Sequence, residues 1–145
     1  MAAGINRILV VEDDPITRKQ LRALLLRMGA KKVDLAADGN IGWAMLKDSE
    51  YDLIISDWHM PNRDGLQLLK AVRSDHAFDG IPFVMLTAET EKNSILTAVE
   101  AGVNGYIIKP FSPIVLEEKV RAVTETFPYT APVRQPTSPG DTTAH

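Results

Sequence analysis

The chain has no cysteine among its 145 residues. That absence removes thiol nucleophiles, zinc-thiolate sites and disulfide frameworks together, and suits a reducing compartment. Long apolar runs are missing too. No stretch approaches the roughly 20 residues that a membrane span needs, and Met1-Ala2-Ala3-Gly4 lacks the charged start and apolar middle of a signal peptide. There is no excess of positive charge either: the formal net charge is −3, with both signs scattered along the chain, so the basic footprint of a nucleic-acid binder is absent. These absences leave a cytoplasmic protein of one domain, long enough to bury a core without staples.

Five short apolar runs are present: Ile8-Leu9-Val10-Val11, Val33-Asp34-Leu35-Ala36, Leu53-Ile54-Ile55, Phe83-Val84-Met85-Leu86 and Tyr106-Ile107-Ile108. Their length and β-branched content predict five strands. Between them lie segments with apolar residues at helical spacing, such as Leu21, Leu24, Leu25 and Met28, or Ile95, Ala98, Val99 and Gly102, each predicting a helix packed on a sheet. Most strands are apolar throughout, as expected when both faces are covered. Strict alternation then predicts an α/β, doubly wound, flavodoxin-like (βα)5 fold with a five-stranded parallel sheet in the order 2-1-3-4-5. The second run carries Asp34 and reads as an edge.

Punctuation agrees. Gly29 and Gly102 fall where helices should stop, Asp64-Gly65 opens the third helix, and Ser112-Pro113 opens the last. Asp14, beside Pro15, reads as a helix cap. The pattern ends at Phe127, placing the domain at residues 1–127. Pro128, Pro132, Pro136 and Pro139 then sit among Thr, Ser and Gly, so residues 128–145 read as a disordered Pro/Thr-rich tail or a linker.

Reactive side chains cluster by position. Glu12-Asp13-Asp14 follow the first run, Asp57 the third, Thr87 the fourth and Lys109 the fifth. In a doubly wound sheet ligands sit at the carboxyl ends of the strands where the order reverses, here between strands one and three, so Asp13 and Asp57 should converge. Crowded carboxylates repel, and a hard divalent cation relieves them; Mg²⁺ takes one or two carboxylates plus waters and phosphate oxygens. Asp57 can serve as a carboxylate nucleophile giving an acyl phosphate. Lys109 offers a point charge, and Thr87 a hydroxyl, to the other phosphoryl oxygens. Pro110 sets a turn able to hold Lys109 inward, through a cis bond if one forms. His59 reads as a loop residue controlling water access to Asp57, while Trp58 could pack under that loop or stand half exposed. His76 and His145 read as surface residues.

Four segments, Ile8-Leu9-Val10-Val11-Glu12-Asp13-Asp14, Ser56-Asp57-Trp58-His59-Met60-Pro61, Thr87-Ala88-Glu89 and Lys109-Pro110-Phe111, together resemble the signature of CheY-like response regulator receiver domains over residues 7 to about 127. The resemblance implies that Glu12, through water, Asp13, Asp57 and the backbone carbonyl of His59 hold Mg²⁺, and that a histidine kinase supplies phosphoryl from a phosphohistidine. It implies that Thr87 and Tyr106 form a switch pair whose hydroxyl moves toward the phosphoryl while the ring turns inward. It further implies that helix four, strand five and helix five carry the output, with Lys92, Ile95, Tyr106 and Lys119 on the partner surface. Such a domain catalyses only its own phosphorylation and dephosphorylation, and is expected to be monomeric.

Rival classes fit less well. A flavin carrier needs a Gly/Ser/Thr-rich phosphate loop after the first strand, where three acids stand. An aspartate-nucleophile phosphatase needs a second Asp two residues on from Asp13, at the place of Pro15. For the output, a flagellar motor switch, another phosphotransfer protein in a relay, and a separate output domain of a larger regulator stay open. The Lys92, Tyr106 and Lys119 surface resembles a motor-binding face and favours the first; Glu91, where chemotaxis receivers usually carry Lys, Asp14-Pro15 and the Pro/Thr tail speak against it.

Overall fold

The computed structural model describes residues 7–129. It has five parallel strands, β1 Arg7–Val11, β2 Lys32–Ala36, β3 Leu53–Asp57, β4 Phe83–Thr87 and β5 Gly105–Ile108, in the order β2-β1-β3-β4-β5. Five helices connect or follow them: α1 Pro15–Arg27, α2 Gly39–Asp48, α3 Gly65–Ser74, α4 Lys92–Glu100 and α5 Pro113–Thr126. Among the described residues a 3-10 turn at His76–Phe78 adds an element that the apolar pattern does not mark. The doubly wound architecture and the edge position of β2 are as the alternation of runs predicts.

Successive strand residues point to opposite faces, which divides the core in two. Ile8, Val10, Leu53, Ile55, Val84, Leu86 and Ile107 meet Leu21 and Leu25 of α1 and Leu116, Val120 and Val123 of α5. Leu9, Val11, Ile54, Phe83 and Met85 face the other way, against Leu46 of α2, Leu68, Leu69 and Val72 of α3, and Ala98 of α4. All these strand side chains are buried, and burial at roughly 25 cal/mol per Å² of apolar surface is the main force holding the layers. One expectation fails on α4. Of the Ile95, Ala98, Val99 and Gly102 stripe only Ala98 is buried, and Val99 is 56% exposed. A helix that touches the sheet through one small residue has a contact stripe too narrow to include a neighbour about 100° round the axis.

The helix starts follow the chemistry of their caps. Asp14 accepts from the amide and hydroxyl of Thr17, Asp38 from the amide of Ile41, Asp64 forms a reciprocal capping box with Gln67, and Ser112 accepts from the amide of Val115. Gly29 and Gly102 end α1 and α4 with φ of 112° and 100°, the left-handed region that glycine enters without penalty. Arg73 at the end of α3 donates to the carbonyls of Gly102 and Ile81 and to Asn104, whose side-chain oxygen also accepts from the amide of Phe83. The turn before β5 is thereby tied to β4.

Of the residues read as a tail, Pro128 and Tyr129 are described, and Tyr129 is half-buried against the α2–α3 side of the core. Residues 130–145, with His145, lie outside the described residues.

Candidate functional site

Register alone brings the four strand ends to one level. Val11 lies opposite Ser56, so Glu12 leaves β1 beside Asp57; Asp57 lies opposite Leu86, one residue before Thr87; Thr87 lies opposite Ile108, one residue before Lys109. Asp57 and Thr87 are the last residues of β3 and β4, inside the strands instead of following them, so their backbones are held by the ladder.

One carboxylate oxygen from each of Glu12, Asp13 and Asp57 lies within 4.8 Å of the others. Their exposures differ: Glu12 is fully buried, Asp57 is 7% exposed, and Asp13 is open to solvent. Lys109 joins them, its Nζ 2.7 Å from Glu12 Oε1 and 3.4 Å from Asp57 Oδ1. The Lys109–Pro110 peptide bond is cis. Burial lowers the affinity of Lys109 for its proton, but the Glu12 bond and the Asp57 charge more than restore it, so its pKa rises. Asp57 moves the other way from an ordinary carboxylate. Burial first, then the charge of Glu12, push its pKa up to about 7 against the opposing pull of Lys109. Three acids facing one ammonium leave an uncompensated negative field.

The loops around this cluster are pinned. Arg18 on α1 donates to the carbonyls of Glu12 and Asp13, and the Asp14 amide donates to Glu12 Oε2. In the β3–α3 loop Asn62, at φ 68°, donates to Asp38, and Arg63 donates to Asn40, so the loop is stitched to the start of α2. Gly65 presses against the backbone of Asp57 and Trp58. Trp58 is buried, which settles the alternative left open above, and stacks on His59. His59 is exposed and its Nε2 stands 3.7 Å from Glu89 Oε1. The Thr87 hydroxyl is buried and accepts from the Glu89 amide.

Tyr106 lies edge-on to Trp58, with centroids 6.4 Å apart, and its hydroxyl donates to the Glu89 carbonyl. A groove of about 460 Å³ runs along Tyr106, Ile108, Pro110, Phe111, Val115 and Lys119. Lys92 is exposed and Ile95 half-buried on α4, and neither lines that groove. A second groove of about 450 Å³ opens beside Lys109, between Thr17 and Gln20 of α1 and Pro110-Phe111. His76 is exposed, as expected of a surface residue.

Two contributors escaped sequence reasoning. Arg18 carried no motif, and its bonds depend on the angle at which α1 leaves β1. Glu89 lay inside a signature segment, but its four partners come from separate places in the chain.

Asp57 can act as nucleophile only when ionised. A divalent cation fits the carboxylates on chemical grounds, since hard oxygen donors with one solvent-facing member match the preference of Mg²⁺ for few carboxylates plus water.

Residues 8–121 match the response regulator receiver domain family. The chemotaxis protein CheY of Pseudomonas aeruginosa is 39% identical over 119 residues, covering 82% of this chain and 96% of that protein. CheY-3 of Vibrio cholerae is 39% identical over 128 residues, covering 86% and 98%. The structure of CheY4 of Vibrio cholerae superposes with a TM-score of 0.78 at 32% identity, over 83% of this chain and 99% of that one. With the order of the sheet, the acids at its switch point and a family match spanning nearly all the described residues, the chain belongs to the response regulator receiver domains of two-component signalling and is CheY-like.

Proposed function

We propose that Asp57 is the phosphoacceptor of a protein acting in the cytoplasm, receiving phosphoryl from a phosphohistidine of a histidine kinase. The observation that carries this reading is the meeting of Asp57 with Lys109 at 3.4 Å and with Glu12 and Asp13 within 4.8 Å. An oxygen of the Asp57 carboxylate attacks phosphorus; the P–O bond forms as the P–N bond breaks, and the imidazole leaves. Glu12, Asp13, Asp57 and the His59 carbonyl are the residues that would hold Mg²⁺. An ion held there would supply positive charge to the phosphoryl oxygens and favour the ionised form of Asp57. Lys109 supplies the second positive charge, and the Thr87 hydroxyl a hydrogen bond, to the remaining oxygens. The groove beside Lys109 leaves room for the donor to approach.

A phosphoryl adds roughly −1.5 to −2 charges, and Thr87 with Tyr106 carries that change to the surface made by α4, β5 and α5, where Lys92, Ile95, Tyr106 and Lys119 face a partner. Similarity to chemotaxis regulators makes a motor switch component the first candidate for that partner. The protein acts as a monomer.

Acetyl phosphate with Mg²⁺ should add one phosphoryl to the intact protein by mass spectrometry, and Asp57→Asn should abolish it. Equal labelling of the variant would move the acceptor elsewhere.

A further inference from the structure

Four contacts converge on Glu89, two on its backbone and two on its side chain. Its amide donates to Thr87 Oγ1 at 3.1 Å and its carbonyl accepts from the Tyr106 hydroxyl at 3.1 Å. Its carboxylate reaches further, with Oε1 3.7 Å from His59 and Oε2 accepting from Ser94 Oγ at 3.1 Å. His59 stands two residues past Asp57, and Glu89 two past Thr87. Because β3 and β4 are parallel neighbours in register, the side-chain pair bridges the two loops that follow Asp57 and Thr87.

Ser94 lies in the first turn of α4, and α4 is the helix with least to hold it. Its N-cap, Glu91, makes no side-chain bond to the helix, whereas the caps of α1, α2, α3 and α5 all do. A helix start without such a bond leaves its first amides unmatched and frays more readily. Its packing is thin as well, with Ala98 alone buried and Leu96 and Val99 45% and 56% exposed. The Glu89–Ser94 bond satisfies none of those amides, but it ties the loose end of α4 to a residue that already touches Thr87, Tyr106 and His59.

We propose that Glu89 is a positioning residue, a tether whose carboxylate passes the state of the phosphorylation pocket to the first turn of α4 through Ser94. It rests on the reading of Asp57 as phosphoacceptor, and it adds a side-chain route to the Thr87–Tyr106 pair, whose contacts with Glu89 use only backbone. When the Thr87 hydroxyl turns to a phosphoryl oxygen, the Glu89 amide loses its acceptor and residues 88–91 shift. Ser94, held by the same residue, moves with them.

Hydrogen exchange by mass spectrometry, on the full chain, tests this over residues 95–97, the first whose amides bond within α4. Without phosphorylation, Ser94→Ala and Glu89→Ala should exchange about fivefold faster there than the unmodified protein, the loss of one hydrogen bond's worth of protection, and Ser94→Thr, which keeps a hydroxyl, should restore it. With acetyl phosphate and Mg²⁺, the original chain should change its exchange at 95–97, and Ser94→Ala should take up phosphoryl equally while losing that change. Equal exchange of Ser94→Ala and the original chain before phosphorylation overturns the tether, as does an undiminished response of Ser94→Ala after it. Failure of the original chain to take up phosphoryl would instead defeat the acceptor assignment, and the unphosphorylated comparison would still decide the tether.

Discussion

The ammonium of Lys109 sits closer to Glu12, at 2.7 Å, than to Asp57, at 3.4 Å. Glu12 is fully buried and Asp57 nearly so, and the one lysine neutralises the more deeply buried acid first. Asp57 is left the less compensated of the two, which suits a carboxylate that has to bind something else.

Removing that lysine should cost both stability and chemistry. Lys109→Met strands the buried Glu12 carboxylate, so denaturant unfolding at pH 7 should show a loss of about 2–4 kcal/mol. Labelling by acetyl phosphate should slow by roughly 100-fold or more, the usual scale for removing a group that meets developing charge. Lys109→Arg should not restore it, since a planar fork does not replace a point charge held between two acids. Labelling at the original rate in either variant would remove Lys109 from the reaction.

Asp57 makes stability depend on pH in a definite direction. Its folded pKa is raised to about 7 and its unfolded value lies near 3.9, so between those limits the folded state holds the extra proton. Stability contributed by this group is complete below about pH 4 and is lost as pH rises through about 7. In chelator, Asp57→Asn should therefore be more stable than the original chain at pH 8 by roughly 1–3 kcal/mol, with the difference vanishing toward pH 4. Thermal melts across that range measure it, and Mg²⁺ should narrow the gap at pH 8. A variant less stable at pH 8 would contradict the strained carboxylate.

Mg²⁺ can be followed without phosphorylation. Trp58 is buried next to Asp57 and stacks on His59, so filling the acid cluster should change its emission; Trp43→Phe removes the other indole. Asp13→Ala, which deletes the exposed acid of the cluster, should weaken the response about tenfold or more, the scale set by ligand loss at a carboxylate site. Identical titrations would exclude Asp13 as a ligand.

Gly65 is the backbone gate to the site. A Cβ there would lie 2.3 Å from the Asp57 carbonyl oxygen and 2.8 Å from Trp58 Cα, both main-chain atoms that cannot rotate away. Gly65→Ala should destabilise by about 2 kcal/mol or more and slow labelling, because relief has to displace Asp57. Gly80→Ala is the control. Gly80 has φ 81°, and a Cβ there would meet only Tyr129 Cδ1 at an ordinary 3.8 Å, so it should cost about 1 kcal/mol and leave labelling unchanged.

Much of the molecule was legible from one dimension. Strand runs such as Ile8–Val11 and Phe83–Leu86, caps such as Asp14 and Ser112, and the stops at Gly29 and Gly102 are local, and local chemistry is written in neighbouring letters. Convergence of Asp13, Asp57 and Lys109 was also foreseeable, because alternation implies a parallel sheet and a parallel sheet puts every strand end on one side.

What remained depends on angles and distances between elements that no local pattern encodes. Val99 reads as core by spacing and is exposed, since how far α4 leans onto the sheet is decided by a single small residue, Ala98. Arg18 and Arg73 look like surface charges until α1 and α3 are docked and their guanidinium groups find carbonyls from other segments. The split between a buried Glu12 and an exposed Asp13, adjacent in sequence, comes from the turn between β1 and α1. By itself the sequence determined which elements form, their order and the residue types at their ends. Tertiary structure alone decided which of those residues lose water and which charges they then face, because desolvation and Coulomb energy depend on the packed surroundings and not on neighbours along the chain.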